Sequence, residues 1–183
     1  KAIKEGISEK TIDDSFQYVK LNRKVVKADK KQFKKLLFAD YYQNAINALR
    51  IRKAKRLYQQ HQAILEQISQ QYGVQSKYIL ALWGKESDFG NNTGSFNVIN
   101  SLANLAFEGR RREFFSKELL LALKMVENNY IEASQFKGSW AGATGQSQFM
   151  PSSYHAYAID YDQDGKKDIW HSRSDVFASI ANY

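Results

Sequence analysis

The sequence predicts a mainly α-helical protein. Two observations carry this: its 183 residues include one Pro and ten Gly amid many Ala, Leu, Lys, Gln and Glu, and its apolar residues recur at spacings of three and four over several long stretches. The length suffices for one domain with its own core, or one domain and a helical extension. With no cysteine, the chain lacks thiolate nucleophiles, disulfides and Cys-type zinc sites. His61, His155 and His171 show no metal-ligand spacing, which leaves carboxylates and hydroxyls as the chemical candidates.

Residues 1–36 are polar and basic. The Lys-rich stretch from Lys24 to Lys35 has little apolar pattern beyond Val25, Val26 and Phe33, and reads as a solvated arm or loosely packed segment. The opening Lys1-Ala2-Ile3-Lys4-Glu5 lacks the apolar core of a signal peptide, and no apolar run reaches the roughly 20 residues that span a bilayer. The expectation is a mature or trimmed soluble segment. A formal charge of +8 favours anionic partners without choosing among nucleic acid, acidic membranes and peptidoglycan.

From Phe33 to Tyr72 the pattern is helical. Leu57, His61, Ile64, Leu65, Ile68 and Tyr72 form a core-facing stripe, and Gly73 stops the run. His61 reads as a packing residue at the boundary of that stripe. A second helix is predicted after Ser76, its expected N-cap, with Gly84 and Gly90 marking its far end. Ile79, Leu82 and Glu86 are spaced i, i+3, i+7, so the carboxylate continues an apolar stripe. Desolvation first, and the negative helix terminus second, would then raise its pKa and let it donate a proton near neutral pH. Spacing alone favours an amphipathic helix whose last turn reaches solvent.

Residues 87–100, rich in Gly, Asn and Ser, read as a loop. Ser101–Phe107 and Arg112–Asn128 are predicted helices, with Phe115, Leu119, Leu123 and Val126 on one stripe of the second. Arg110-Arg111-Arg112 between them reads, by itself, as a solvated basic turn. The Gly-rich stretch from Gly138 to Gly145 is equally a tight structural turn or a ligand-facing loop. Pro151 suits the first position of a helix through Tyr154, just after Gln148.

Asp160-Tyr161-Asp162-Gln163-Asp164-Gly165-Lys166-Lys167-Asp168 matches the first nine positions of an EF-hand loop. Carboxylates stand at 1, 3 and 5, Gly165 at the sharp turn, and the Lys166 carbonyl at 7. Crowded carboxylates are costly unless a hard cation sits among them. The bidentate Glu expected at position 12 is replaced by His171. A single loop favours one structural calcium over a sensor; no organic cofactor is expected.

Four ordered blocks, GKESDFG around Glu86, SLANLAFEGRRREFFSKEL from Ser101 to Leu119, GSWAGATGQSQFMPSSY from Gly138 to Tyr154, and SIANY at residues 179–183, resemble the lytic murein transglycosylase B family, a branch of the lysozyme-like superfamily. The similarity is clear from about Tyr72 onward and weaker before it. It implies an N-terminal helical region over 1–72 and a lysozyme-like catalytic core over 73–183. That core holds a single EF-hand-like loop at 160–175 and continues in the family beyond the position of Tyr183, so the catalytic unit is expected to be incomplete.

The resemblance makes Glu86 the general acid and base of a lyase that cleaves the MurNAc-GlcNAc bond of peptidoglycan without water, leaving 1,6-anhydromuramic acid ends. Arg110, Arg111, Ser139, Gln148 and Tyr183 match substrate-binding positions. The family's longer calcium loop is closed by a later carboxylate, here Asp175, which is equally able to cap a helix through Phe177 and Ile180. The implied setting is the bacterial periplasm or cell envelope, with glycan strands as partner, no nucleic acid, a monomer, and a lipid anchor on the full-length protein. Rival readings are a hydrolytic muramidase, a non-catalytic peptidoglycan- or nucleic-acid-binding module, and a calcium-dependent structural protein.

Overall fold

The computed structural model describes residues 1–31 and 37–183. Phe33, Lys34 and Lys35 of the basic stretch lie outside the described residues. After a 3₁₀ turn at Ile3–Glu5 come α1 (Glu9–Phe16), α2 (Arg23–Lys30), α3 (Phe38–Ala45), α4 (Ala48–Gln60), α5 (Gln62–Tyr72), α6 (Ser76–Ser87), α7 (Val98–Glu108), α8 (Arg112–Glu127), α9 (Pro151–Tyr157) and α10 (Arg173–Asn182). The only sheet among the described residues pairs β1 (Phe96–Asn97) antiparallel with β2 (Lys137–Gly138), Phe96 opposite Gly138. Mainly helical architecture is therefore observed, as composition and period predicted.

Apolar faces gather into two cores. One joins Ile7 and Val25 to Val98, Leu102 and Leu105 of α7 and Phe115 and Leu123 of α8. The other joins Leu65 and Ile68 of α5, Ile79 and Trp83 of α6, and Val176, Phe177 and Ile180 of α10. Burying a large apolar side chain is worth about 1.5–3 kcal/mol, so each cluster fixes its helices firmly. α6 and α10 belong to one core while the loop before α9 belongs to the other, and the functional groove opens between them.

Three expectations change. The solvated-arm reading fails for residues 1–30: Val25 is fully buried and α1 and α2 pack on α7 and α8. Few apolar residues do this work because Asn100 and Asn104 clamp the backbone of Lys20 and Asn22 with bonds of 2.8–3.0 Å. Periodicity cannot register such a clamp. The helical pattern read from Phe33 to Tyr72 is realised over its described residues as three helices, α3, α4 and α5, with His61 at the α4–α5 junction, edge-on to Phe177 and Trp83.

Ser76 is the first residue of α6 and not its cap; its hydroxyl donates to Glu66 and to the Leu65 carbonyl. Gly84 lies inside α6, where a Cβ would come within 2.6 Å of the Phe89 ring. Its role is to let the chain fold back after Asp88, which ends the helix in the left-handed region. Gly73 and Pro151 do stop and start helices as expected.

Candidate active site

α6 carries Leu82 and Glu86 to one wall of a groove of about 240 Å³. The opposite side is the segment Ser147-Gln148-Phe149-Met150 with Ser153 of α9, and α10 contributes Ile180 and Tyr183. Glu86 is exposed on this wall. The apolar stripe is only half realised, since Ile79 is fully buried while Leu82 is 43% exposed, so the expected desolvation of Glu86 by its own helix is not supplied. Glu86 returns to within about 20° of Ile79 around the axis, so its position near the end of α6, and not a change of face, leaves it exposed.

No second carboxylate lines the groove among the described residues. Asp88 turns away: its carboxylate accepts from Lys53 Nζ at 2.9 Å and Lys53 Nζ also reaches the Asp88 carbonyl at 3.0 Å. The Lys53 bond holds the Asp88 carboxyl below the usual carboxylate range.

The groove segment is a short hairpin. Thr144 and Phe149 exchange both backbone bonds, at 2.9 and 3.0 Å, around the turn Gly145–Gln148. Gln146 is buried within it: Oε1 accepts from Trp83 Nε1 at 2.9 Å, Nε2 donates to the Trp170 carbonyl at 2.6 Å, and its N–H donates to the Ile169 carbonyl. Gln148, at φ 50, is pinned through Nε2 to the Thr93 and Gly145 carbonyls. The Gly-rich stretch before the hairpin is backbone packed on backbone, since a Cβ at Gly138 would stand 2.2 Å from the Ala143 carbonyl oxygen. That favours the structural turn over the ligand-facing loop for Gly138–Ala143.

Of the five residues matched to substrate binding, the groove brings together Gln148 and Tyr183 with Glu86. Tyr183 is 69% exposed and packs its ring against Phe149 and Tyr157. Ser139 is not in the groove lining; its hydroxyl accepts from the N–H groups of Ala141 and Ala143 and so shapes its own turn. Arg110 and Arg111 sit at the α7–α8 corner, again outside the groove lining. Both reach the buried Asp29, Arg110 through the Asp29 carbonyl and Arg111 through a 3.1 Å ion pair, while Arg111 also lies 4.6 Å over the Phe115 ring. The solvated basic turn is thus anchored to α2.

Sequence reasoning missed Ser147, Met150, Ser153 and Ile180 as groove residues and Gln146 as the brace beneath them. Only the long-range approach of α10 and of Trp83 gives them these roles, and no local spacing signals it.

Away from the groove, Asp160, Asp162 and Asp164 bring one carboxylate oxygen each within 4.8 Å of the others. Asp160 also accepts from the N–H groups of Asp164 and Gly165, which folds the loop tightly. Calcium ligands stand 2.3–2.6 Å from the ion, so oxygens this close can share one. Ser172 and Ser174 donate to Asp162 and hold its carboxyl below the usual range. Asp175 is fully buried and lies outside this trio; it accepts from Tyr161 N–H and Asp168 N–H, both at 2.8 Å, and burial pushes its carboxyl up. It ties the two ends of the loop together.

The family described as the transglycosylase SLT domain matches residues 1–183. The membrane-bound lytic murein transglycosylase B of Escherichia coli K12 is 39% identical over 125 residues, 68% of this chain and 34% of that protein. Among solved structures, SltB3 of Pseudomonas aeruginosa in complex with NAG-NAM-pentapeptide is 43% identical over the whole chain, with a TM-score of 0.96 and 49% of that protein covered. The Escherichia coli lytic transglycosylase Slt35 in complex with calcium is 31% identical over the whole chain, with a TM-score of 0.90 and 58% of it covered. The chain thus spans between a third and three-fifths of the length of these relatives. A family match over residues 1–183 and 39% identity over 68% of the chain make this chain a member of the lytic murein transglycosylase B family, with that family's lysozyme-like fold.

Proposed function

We propose that the protein is a peptidoglycan lytic transglycosylase that cleaves the MurNAc-GlcNAc bond and leaves 1,6-anhydromuramic acid ends. The observation that carries this reading is a single groove carboxylate. Glycosidases that use water ordinarily place two acids across the bond, whereas among the described residues Glu86 is the one carboxylate lining the groove, and Asp88 is held by Lys53. One carboxyl group then serves twice. Glu86 gives its proton to the glycosidic oxygen as the C1–O bond breaks, the muramic N-acetyl group stabilises the positive charge that develops at C1, and the resulting carboxylate takes the proton from the C6 hydroxyl as that oxygen closes on C1. Atoms balance without water. A glycan lying in the groove would supply the desolvation that the free site lacks.

Related proteins support the substrate, since SltB3 is held with NAG-NAM-pentapeptide. The net charge of +8 suits a wall polymer bearing carboxylates. Gln148 and Tyr183 are proposed to contact the sugar in the groove. Arg110, Arg111 and Ser139 are proposed to bind substrate outside the groove lining, the two guanidinium groups by forking to carboxylates or sugar oxygens. The division proposed is a helical region at 1–72 buttressing a catalytic core at 73–183, in a monomer. The proposed setting is the periplasm or cell envelope, in keeping with the membrane-bound Escherichia coli relative; among the described residues no helix is long and apolar enough to cross a membrane.

The deciding test is mass spectrometry of soluble products from purified peptidoglycan. Anhydromuropeptides are expected; reducing-end muropeptides would make the enzyme a hydrolytic muramidase, and silence would favour a binding module.

The loop at 160–175 is proposed to hold one structural calcium through the carboxylates of Asp160, Asp162 and Asp164 and the Lys166 carbonyl, with Asp175 closing the loop from behind. Calcium at about 100 times its dissociation constant adds ~2.7 kcal/mol, which in a domain of this size raises Tm by roughly 5–10 °C. Asp160→Ala is expected to abolish that rise. Identical melting curves with calcium and with chelator would refute the site.

A further inference from the structure

We propose that Glu118 is a positioning residue of the groove: from the buried face of α8 its carboxylate holds the start of α9, and with it the groove residues Met150 and Ser153, in place across from Glu86. The inference rests on the saccharide-cleaving reading above and deepens it.

Glu118 is 2% exposed and shares the buried face of α8 with Phe115 and Ala122. Burying a carboxylate is costly unless strong partners replace water. Among the described residues no Lys, Arg or His stands within ion-pair reach of this one. Its partner is a backbone group instead: Oε2 accepts from the Ser152 N–H at 2.9 Å, 34 residues along the chain. Packing on that face needs only an apolar side chain, so the bond to Ser152 is what explains an acid there.

The start of α9 needs that acceptor. The first N–H groups of a helix have no partner within it, and α9 supplies none locally: Met150, at the N-cap, makes no capping bond, and Pro151 brings no N–H. Glu118 therefore caps α9 from another helix, and its negative charge suits the positive end of the helix dipole. Three residues further along both helices, a second bond joins His155 Nε2 to the Leu121 carbonyl at 3.0 Å. The two bonds differ in what they hold. Ser152 lies between Met150 and Ser153, which line the groove with Glu86, whereas His155 is outside that lining. The wall that a glycan meets is thus set from one layer behind, by a side chain absent from the lining itself.

The test uses three variants of the protein at its full natural length. Glu118→Gln keeps an oxygen acceptor for the Ser152 N–H, Glu118→Met keeps the volume without the acceptor, and His155→Ala cuts the other bond between the helices. Melting temperature is measured, and turnover of soluble, uncrosslinked glycan strands is followed where every variant is folded. In Glu118→Met, kcat/KM is expected to fall at least ~10-fold, since a displacement of about 1 Å in a groove wall is enough for a loss of that order. Glu118→Gln should restore most of it, and His155→Ala should lower Tm while leaving kcat/KM unchanged. Should Glu118→Met not fold, Glu118→Ala, which admits water to the Ser152 N–H, is expected to show the same loss. Wild-type kcat/KM without the acceptor overturns the proposal and leaves the saccharide reading standing. Loss in step with Tm in the Glu118 and His155 variants alike makes Glu118 merely structural, and a loss in Glu118→Gln as large as in Glu118→Met takes the effect away from the bond. Wild-type protein that does not turn over the strands overturns this inference together with the reading on which it rests.

Discussion

Replacing Glu86 with Gln is expected to lower turnover of peptidoglycan by at least ~10³-fold, since one side chain supplies both proton transfers and each such role is worth about 10²–10⁴. Gln keeps the size and both hydrogen-bonding faces of the side chain but has no proton to lose or regain. Glu86 is exposed and no ion pair or hydrogen bond of its side chain is seen among the described residues. The fold should therefore hold, with stability within about 0.5 kcal/mol of wild type, as is usual for surface substitutions. Glycan binding should also persist, because the groove walls from Ser147 to Met150 and from α10 are untouched. The measurement is release of anhydromuropeptides at saturating enzyme, paired with a melting curve. Activity above a few per cent of wild type would remove Glu86 from the mechanism. A parallel Asp88→Asn protein separates the two acids: its carboxylate is bound to Lys53, so loss of activity there should follow loss of the α6 C-terminal turn, visible as a lower Tm.

The helices that carry strong periodicity are legible in the sequence, as are the stop at Gly73 and the start at Pro151, because these signals are local. The motifs that surround Glu86, Gln148 and Tyr183 single them out in the sequence, and the groove unites them. What sequence could not reveal depends on distant partners. Val25 looks too isolated to be core, and becomes core only because Asn100 and Asn104 hold the neighbouring backbone. Asp29 gives no sign in sequence of receiving two arginines from 81 and 82 residues away. In sequence Asp175 fits a loop ligand and a helix cap equally, and in the structure its carboxylate accepts from both ends of the calcium-type loop.

Trp83→Ala should have the largest effect on stability, roughly 3–5 kcal/mol, as for other fully buried aromatic residues cut back to Ala. Trp83 is 0% exposed and sits where α5, α6 and α10 converge. Its ring meets Phe177 at 5.0 Å and Phe89 at 5.4 Å edge to face, and the Arg173 guanidinium lies 5.0 Å over it. Nothing nearby can refill that space, because Phe89 is already wedged against Gly84. In a domain of this size the loss corresponds to a fall in Tm on the order of 10 °C, and a fall under about 2 °C would contradict it. Trp83→Phe separates packing from polarity. It retains a buried aromatic ring but deprives Gln146 Oε1 of its donor, at a cost of about 1–3 kcal/mol for the stranded acceptor. Gln146 opens the turn that carries Ser147 and Gln148, so the same change frees the groove floor. Catalytic efficiency in Trp83→Phe should therefore fall by more than the unfolded fraction accounts for, measured at a temperature where the variant is fully folded. Unaltered efficiency there would mean that the groove floor is held by the Trp170 and Ile169 carbonyls alone.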